Sequence, residues 1–151
     1  MGRGSDGHWT TSCCGDNRAL TIVENWQLAG ARILVTGASS GIGRAAAQLM
    51  AAAGARVMAG GRDEGRLSEL TASLPGEGHR SYPGVLENAD QTAEWVSDIA
   101  REVGPLDGIF HAAGVELIRP IRLTKQEHID KVLSSALHAA FGIARAGAQK
   151  G

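Results

Sequence analysis

The sequence predicts an α/β protein, a doubly wound parallel sheet with helices on both faces. Three observations predict it. Short apolar runs closed by glycine alternate with longer stretches whose apolar residues recur at helical spacing. A glycine-rich loop, Thr36 to Gly43, falls between the first run and the first such stretch. The alternation continues to the end of the chain, and parallel strands joined by helices take right-handed crossovers.

Ile33-Leu34-Val35 is the first buried strand, ending in Thr36-Gly37. Ile42, Ala45, Ala46, Leu49, Met50 and Ala53 then define a helix with one apolar face, stopped by Gly54. Val57-Met58-Ala59 is the second strand, closed by Gly60-Gly61. Leu67, Leu70 and Leu74 mark the next helix, which Pro75-Gly76 ends. A weaker third strand lies around Ser81 to Leu86. The following helix starts at Asn88, with Gln91 completing a capping box, and buries Ala93, Val96, Ala100 and Val103 before Gly104-Pro105. Gly108 to Ala112 is the fourth strand. Thr124 and Glu127 form a second capping box. The last helix carries a wide stripe of Ile129, Val132, Leu133, Ala136, Leu137, Ala140 and Phe141, enough to cover one sheet face.

Residues 1–27 read as a separate tail. Gly2 to His8 has no apolar period and is expected to be disordered. Leu20-Thr21-Ile22-Val23 fits either a short strand or a turn, and Trp26 and Leu28 can pack on the domain edge. Among 151 residues, 43% hydrophobic and 21% charged fit one soluble globular domain. A net charge of -1 gives no electrostatic basis for nucleic-acid or anionic-membrane binding. Trp9, Trp26 and Trp95 are not spaced as a stacking platform for bases. Cys13 and Cys14 are adjacent and offer neither a disulfide framework nor zinc spacing, and the histidines show no paired ligand spacing. No metal is expected. With no apolar run long enough to span a bilayer and no signal-peptide core, the expected location is cytoplasmic.

The loop Thr36-Gly37-Ala38-Ser39-Ser40-Gly41-Ile42-Gly43 has the chemistry a dinucleotide pyrophosphate needs. Backbone N–H groups at a helix N-terminus are free to bind an anion, and the helix dipole favours negative charge there. Gly37 permits the turn, Gly41 permits close approach of the phosphates, and Gly43 permits tight helix–strand packing. Ser39 and Ser40 can cap the helix or donate hydroxyls to phosphate. A glycine triplet alone is weak; its place after a strand and before a helix gives it meaning.

Thr-Gly-x-x-x-Gly-x-Gly resembles the cofactor loop of the short-chain dehydrogenases/reductases; extended members of that superfamily space the glycines differently. His111-Ala112-Ala113-Gly114 resembles the family's Asn-Asn-Ala-Gly beside the cofactor, and Asp107 fits before that strand. The resemblance runs from about Leu28 to Lys150. It implies a Rossmann-like fold, truncated after about four strands, with residues 28–151 as a partial dinucleotide-binding domain. It also implies cofactor contacts from Gly37, Ser39, Ser40, Gly41, Ile42, Gly43, Arg62, Leu86, Ala112, Ala113 and Gly114.

An acidic residue at the end of the second strand would bind a ribose 2′-OH. That position falls on Gly61, and Arg62 follows; a guanidinium pairs with a 2′-phosphate as a planar donor. NADP(H) is therefore favoured over NAD(H). In the counter-reading, Asp63 binds the ribose. Two positions depart from the family: Ser40 stands where the other usual phosphate-side basic residue would be, which counts against NADP(H), and Val85 where similar enzymes place an adenine-binding Asp.

The resemblance further implies hydride transfer between a nicotinamide and a carbonyl, 3-oxoacyl or alcohol carbon, with a Tyr–Lys pair and a Ser as catalytic groups. The only tyrosine is Tyr82, with Leu86 rather than Lys four residues on. Ala136 stands where the family has a helical Asn, and Ser135 beside it reads as a helix-surface serine. No catalytic residue is assigned, and the chain alone is expected to be an inactive cofactor-binding fragment. A small-molecule substrate is expected only in a full-length form. The alternative is a non-catalytic nucleotide-binding or dimerisation module, because the helix from Thr124 to about Ala146 resembles one that family members pack against a partner subunit.

Overall fold

A computed structural model describes residues 28–148; the expectations for the tail, residues 1–27, lie outside them apart from Leu28, which packs at the edge of one core. Four strands form one parallel sheet: β1 (Arg32–Thr36), β2 (Arg56–Gly61), β3 (Arg80–Pro83) and β4 (Gly108–His111), in the order β3-β2-β1-β4. The helices are α1 (Gly41–Ala52), α2 (Glu64–Ser73), α3 (Ala89–Val103), α4 (Gln126–Leu133) and α5 (Ala139–Ala148). A π-helical segment, Ser134–His138, joins the last two into one long helix, and a short 3₁₀ turn spans Ile121–Leu123.

The central strands are buried on both faces, and period-two alternation sorts their side chains between two cores. Ile33 and Val35 of β1, with Val57 and Ala59 of β2, pack against Ala47 and Ala51 of α1 and Leu67 and Leu70 of α2. Leu34 and Met58 face the other way, onto Val96 and Ile99 of α3 and Ile143 of α5. This is the doubly wound Rossmann-like sheet expected from the sequence. From β1 the chain builds outward through β2 and β3, then returns to place β4 on the far side of β1. The order reverses between β1 and β4, and the carboxyl ends of those strands flank a crevice.

Two apolar stripes turn only in part toward the core as expected: Met50 packs against it, but other expected residues do not. In α1 the residues against the sheet are Gly43, Ala47 and Ala51, while Ile42 is 77% exposed and Leu49 47%. The smallest side chains, four residues apart, let the helix axis come close to the strands, and that close approach outweighs the larger area of Ile42 and Leu49. The same holds at the end of the chain. Ser135, Ala139, Gly142 and Ile143 are buried, whereas Ile129, Leu133, Leu137 and Phe141 are exposed. Gly142 sets this geometry, because a Cβ there would collide with the Ala89 carbonyl oxygen and lie 2.8 Å from the Thr92 Cβ. An ion pair between Arg145 and Asp90 at 2.7 Å closes the edge of the same α3–α5 contact.

Smaller corrections concern element ends. The third strand occupies Arg80–Pro83 rather than Ser81 to Leu86. Asn88 does cap α3, its side chain accepting from the N–H groups of Asp90 and Gln91 at 2.8 and 3.2 Å. The box expected from Thr124 and Glu127 is displaced by one residue: Lys125 is the N-cap of α4, and its N–H donates to His128 Nδ1 at 2.9 Å. Histidine at the third helical position supplies the acceptor that Glu127 was expected to supply.

A candidate nucleotide-binding groove

The crevice at the carboxyl ends of β1 and β4 is a groove of about 390 Å³. All eleven residues singled out from the sequence line it: Gly37, Ser39, Ser40, Gly41, Ile42 and Gly43 from the first loop, Arg62 after β2, Leu86, and Ala112, Ala113 and Gly114 after β4. Gly61, Gly84, Val85, Glu87, Val115 and Ser135 complete the lining.

The loop is built to keep its backbone bare. Gly37 has φ +69° and Gly41 φ +53°, left-handed values that favour glycine. A Cβ on Gly37 would lie 2.8 Å from the backbone of Ala112 and Ala113, so the two loops are in contact there. At Gly41 a Cβ would meet nothing within 4 Å. Its missing side chain therefore leaves open space at the mouth of α1. The first turn of α1 contains no acidic residue, and Ser40 at its N-cap makes no side-chain capping bond. Its hydroxyl and the first N–H groups of the helix are available to an anion. The Ala38 N–H donates to the Gly60 carbonyl at 3.0 Å, which fixes the loop to β2.

Thr36 and Ser135 hold the far wall, and neither role was visible in the sequence. The Thr36 side chain is fully buried, and its Oγ1 accepts from the N–H groups of Ala112 and Ala113 at 3.2 and 3.3 Å. Ser135, expected at a helix surface, is buried: its Oγ accepts from the Val115 N–H at 3.1 Å and donates to the Val132 carbonyl at 3.2 Å. Its one proton is committed inside the helix, so it does not act as a free acid. The signal for both is indirect, a hydroxyl residue at the end of an apolar strand and another inside an apolar helix stripe.

At the outer end, Arg62 lines the groove and, among the described residues, forms no ion pair. Asp63, the competing ribose ligand, caps α2 instead: it accepts from the Arg66 N–H at 3.0 Å and pairs with the Arg66 guanidinium at 3.2 Å. Tyr82 is not among the lining residues; its hydroxyl is buried and has no hydrogen-bond partner among the described residues. No cluster of three metal-ligating side chains occurs among the described residues.

A parallel α/β sheet with a glycine loop opening a helix at its switch point defines a protein of the nucleotide-binding Rossmann class. The chain belongs to the short chain dehydrogenase family, which matches it over residues 31–150. It is 33% identical over 126 residues to gluconate 5-dehydrogenase of Gluconobacter oxydans, an alignment covering 82% of this chain and 49% of that protein. It is 32% identical over 120 residues to L-xylulose reductase of Homo sapiens, covering 78% of this chain and 46% of the relative. A solved chain from Escherichia coli CFT073, complexed with NADPH, superposes with a TM-score of 0.71 at 29% identity, covering 80% of this chain and 53% of its own length. The chain thus spans about half the length of the curated relatives it matches.

Proposed function

We propose that this chain is the cofactor-binding portion of an oxidoreductase and binds a nicotinamide dinucleotide, NADP(H) in preference to NAD(H). The observation that carries the reading is the bare backbone from Gly37 to Gly43 at the mouth of α1, facing Ala112 to Gly114 across the groove. The α1 N-terminus with the Ser39 and Ser40 hydroxyls would hold the pyrophosphate, Leu86 and its neighbours would line the adenine end, and Ala112, Ala113 and Gly114 would line the opposite wall. The bound cofactor supplies hydride chemistry to a carbonyl or alcohol carbon; this chain's residues bind and orient it, and none is assigned to proton transfer.

The preference for NADP(H) rests on Arg62, which lines the groove while Asp63 is engaged in capping α2. Titration of the folded chain with NADPH and NADH tests it. NADPH is expected to bind more tightly, and Arg62→Ala is expected to remove that advantage without changing NADH binding. Equal affinities before and after the substitution defeat the NADP(H) assignment, and no binding of either dinucleotide defeats the reading as a whole.

The chain alone is expected to show no turnover, and a small-molecule substrate belongs to a longer form carrying Ser and Tyr–Lys residues. A second copy of the chain covers the exposed apolar face of α4 and α5. A cytoplasmic location accompanies this reading; among the described residues no helix is long and apolar enough to cross a membrane.

A further inference from the structure

Thr36, His111 and Ala136 form one hydrogen-bonded chain beneath the groove. Thr36 Oγ1 lies 2.7 Å from His111 Nδ1, and His111 Nε2 lies 3.2 Å from the Ala136 carbonyl oxygen. The Thr36 hydroxyl has one proton to give. The two other atoms facing its oxygen are the N–H groups of Ala112 and Ala113, which are donors and cannot receive it. The proton therefore goes to Nδ1, which must be bare. A neutral imidazole with a bare Nδ1 carries its hydrogen on Nε2, and Nε2 faces a carbonyl that can only accept. Every donor in the chain then has an acceptor; the other neutral tautomer would set a hydrogen against the Thr36 hydroxyl and a lone pair against the Ala136 carbonyl.

We infer that His111 is a positioning residue of the groove, a neutral imidazole protonated on Nε2 that ties the groove floor, through Thr36, to the π-helical segment of the last helix. Ala136 and Ser135 are adjacent in that segment. Ala136 holds His111, and Ser135 holds the Val115 N–H. The stretch between them, Ala112 to Gly114, has no side chain beyond Cβ with which to anchor itself. Its place depends on the two clamps at its ends, on the Thr36 hydroxyl and on a backbone bond from the Ala112 N–H to the Thr36 carbonyl at 3.3 Å. The dinucleotide part of this inference rests on the function proposed above; the clamp does not.

The test has a part that needs no nucleotide. Side-chain ¹⁵N spectra of the folded, nucleotide-free chain at neutral to mildly alkaline pH are expected to show His111 with a bare Nδ1 and a protonated Nε2. The opposite tautomer overturns the inference. His111→Phe keeps a ring and removes both bonds. It is expected to shift the backbone amides of Ala112 to Val115 and to weaken NADPH binding about tenfold, the size of one or two lost hydrogen bonds. His111→Asn, which can still accept from Thr36, is expected to recover part of that loss. If His111→Phe does not fold, Thr36→Val takes its place, and His111 should then lose its single fixed tautomer. Unmoved amides or an unchanged NADPH affinity in a folded His111→Phe overturns the positioning role. Should the parent chain bind no dinucleotide while the amides still move in the variant, the proposed function fails and the clamp is supported.

Discussion

Gly43 lies directly against the peptide of Gly37: a Cβ on Gly43 would sit 2.6 Å from the Gly37 carbonyl carbon and would collide with its oxygen. The two glycines bracket the loop, so the first turn of α1 is pressed onto the end of β1. Gly43→Ala must push the helix away from the strand. Overpacking of this kind costs about 1–3 kcal/mol, and the displaced helix N-terminus should lose dinucleotide affinity as well. Gly41→Ala is a useful contrast, since its Cβ meets open space and only the φ of +53° opposes it. Its stability loss is expected to be about 1–2 kcal/mol, while its Cβ would enter the open space proposed for the phosphates. Chemical denaturation and NADPH titration of both variants check this; a Gly43→Ala chain as stable as the parent would remove the packing argument.

Tyr82 predicts an alkaline limit to stability. Its hydroxyl is buried without a partner among the described residues. Burial raises its pKa above the ordinary 10.0, and the negative charge of Glu102 adds to the rise, against a smaller opposing effect of Arg80. The unfolded chain releases the phenolic proton first as pH rises, so the unfolded state is favoured there. The contribution is fully present below pH about 10 and is lost as pH climbs through the folded-state value. Tyr82→Phe should flatten that alkaline loss. At neutral pH the variant should match or exceed the parent by up to about 1 kcal/mol, because an unsatisfied buried hydroxyl is removed. Unfolding midpoints measured from pH 7 to 11 decide it, and identical alkaline slopes in the two proteins would contradict the assignment.

Trp95 connects these local features to what a sequence can disclose. The succession of strands and helices along the chain and the glycine loop follow from apolar runs and punctuation, and Leu67, Leu70 and Leu74 were legible because their spacing matches one helix face; the spatial order β3-β2-β1-β4 did not follow from them. The inner faces of α1 and α5 were not legible. Glycine and alanine mark the contact there, and absence of bulk has no periodic signature. The groove's lining loops were readable from glycine spacing, but their supports, Thr36 and Ser135, act through single hydroxyls on neighbouring backbone. Trp95 is a third kind of case. Its ring lies on two glycines, since a Cβ on Gly60 would come 2.6 Å from the indole and one on Gly84 2.8 Å. The matching of a large ring to two absent side chains, one on β2 and one in the loop after β3, is a tertiary fact.

That match makes a prediction of its own. The Trp95 indole fills the space above Gly60 and Gly84, beside the loop that carries Val85 and Leu86 into the groove. Trp95→Ala leaves a gap that small neighbours cannot close. For a half-buried ring the expected loss is about 3 kcal/mol, the lower end of the range for aromatic truncation. Trp95→Phe should recover most of it. Denaturant midpoints give the stabilities, and a loss below about 1 kcal/mol in the alanine variant would show that the ring does not support the strand ends.

The exposed face of the last helix gives the final prediction. Ile129, Leu133, Leu137 and Phe141 recur at helical spacing, and Phe141 is 64% exposed. Leu117, Ile118, Ile121 and Leu123 of the preceding segment are exposed as well. Isolated exposed apolar side chains are ordinary, but a contiguous row of them marks an association surface. The small residues of the opposite face already engage α3, so rotation of the helix cannot bury the row without exposing Ala139 and Ile143. The proposed occupant is a second copy of this chain. Sedimentation of the chain alone should therefore reveal self-association that depends on concentration. Leu137→Lys combined with Phe141→Lys should abolish it while leaving the candidate groove able to bind NADPH, since neither side chain lines it. A chain that stays monomeric at high concentration, with the double variant behaving identically, would remove the second copy as occupant of this face.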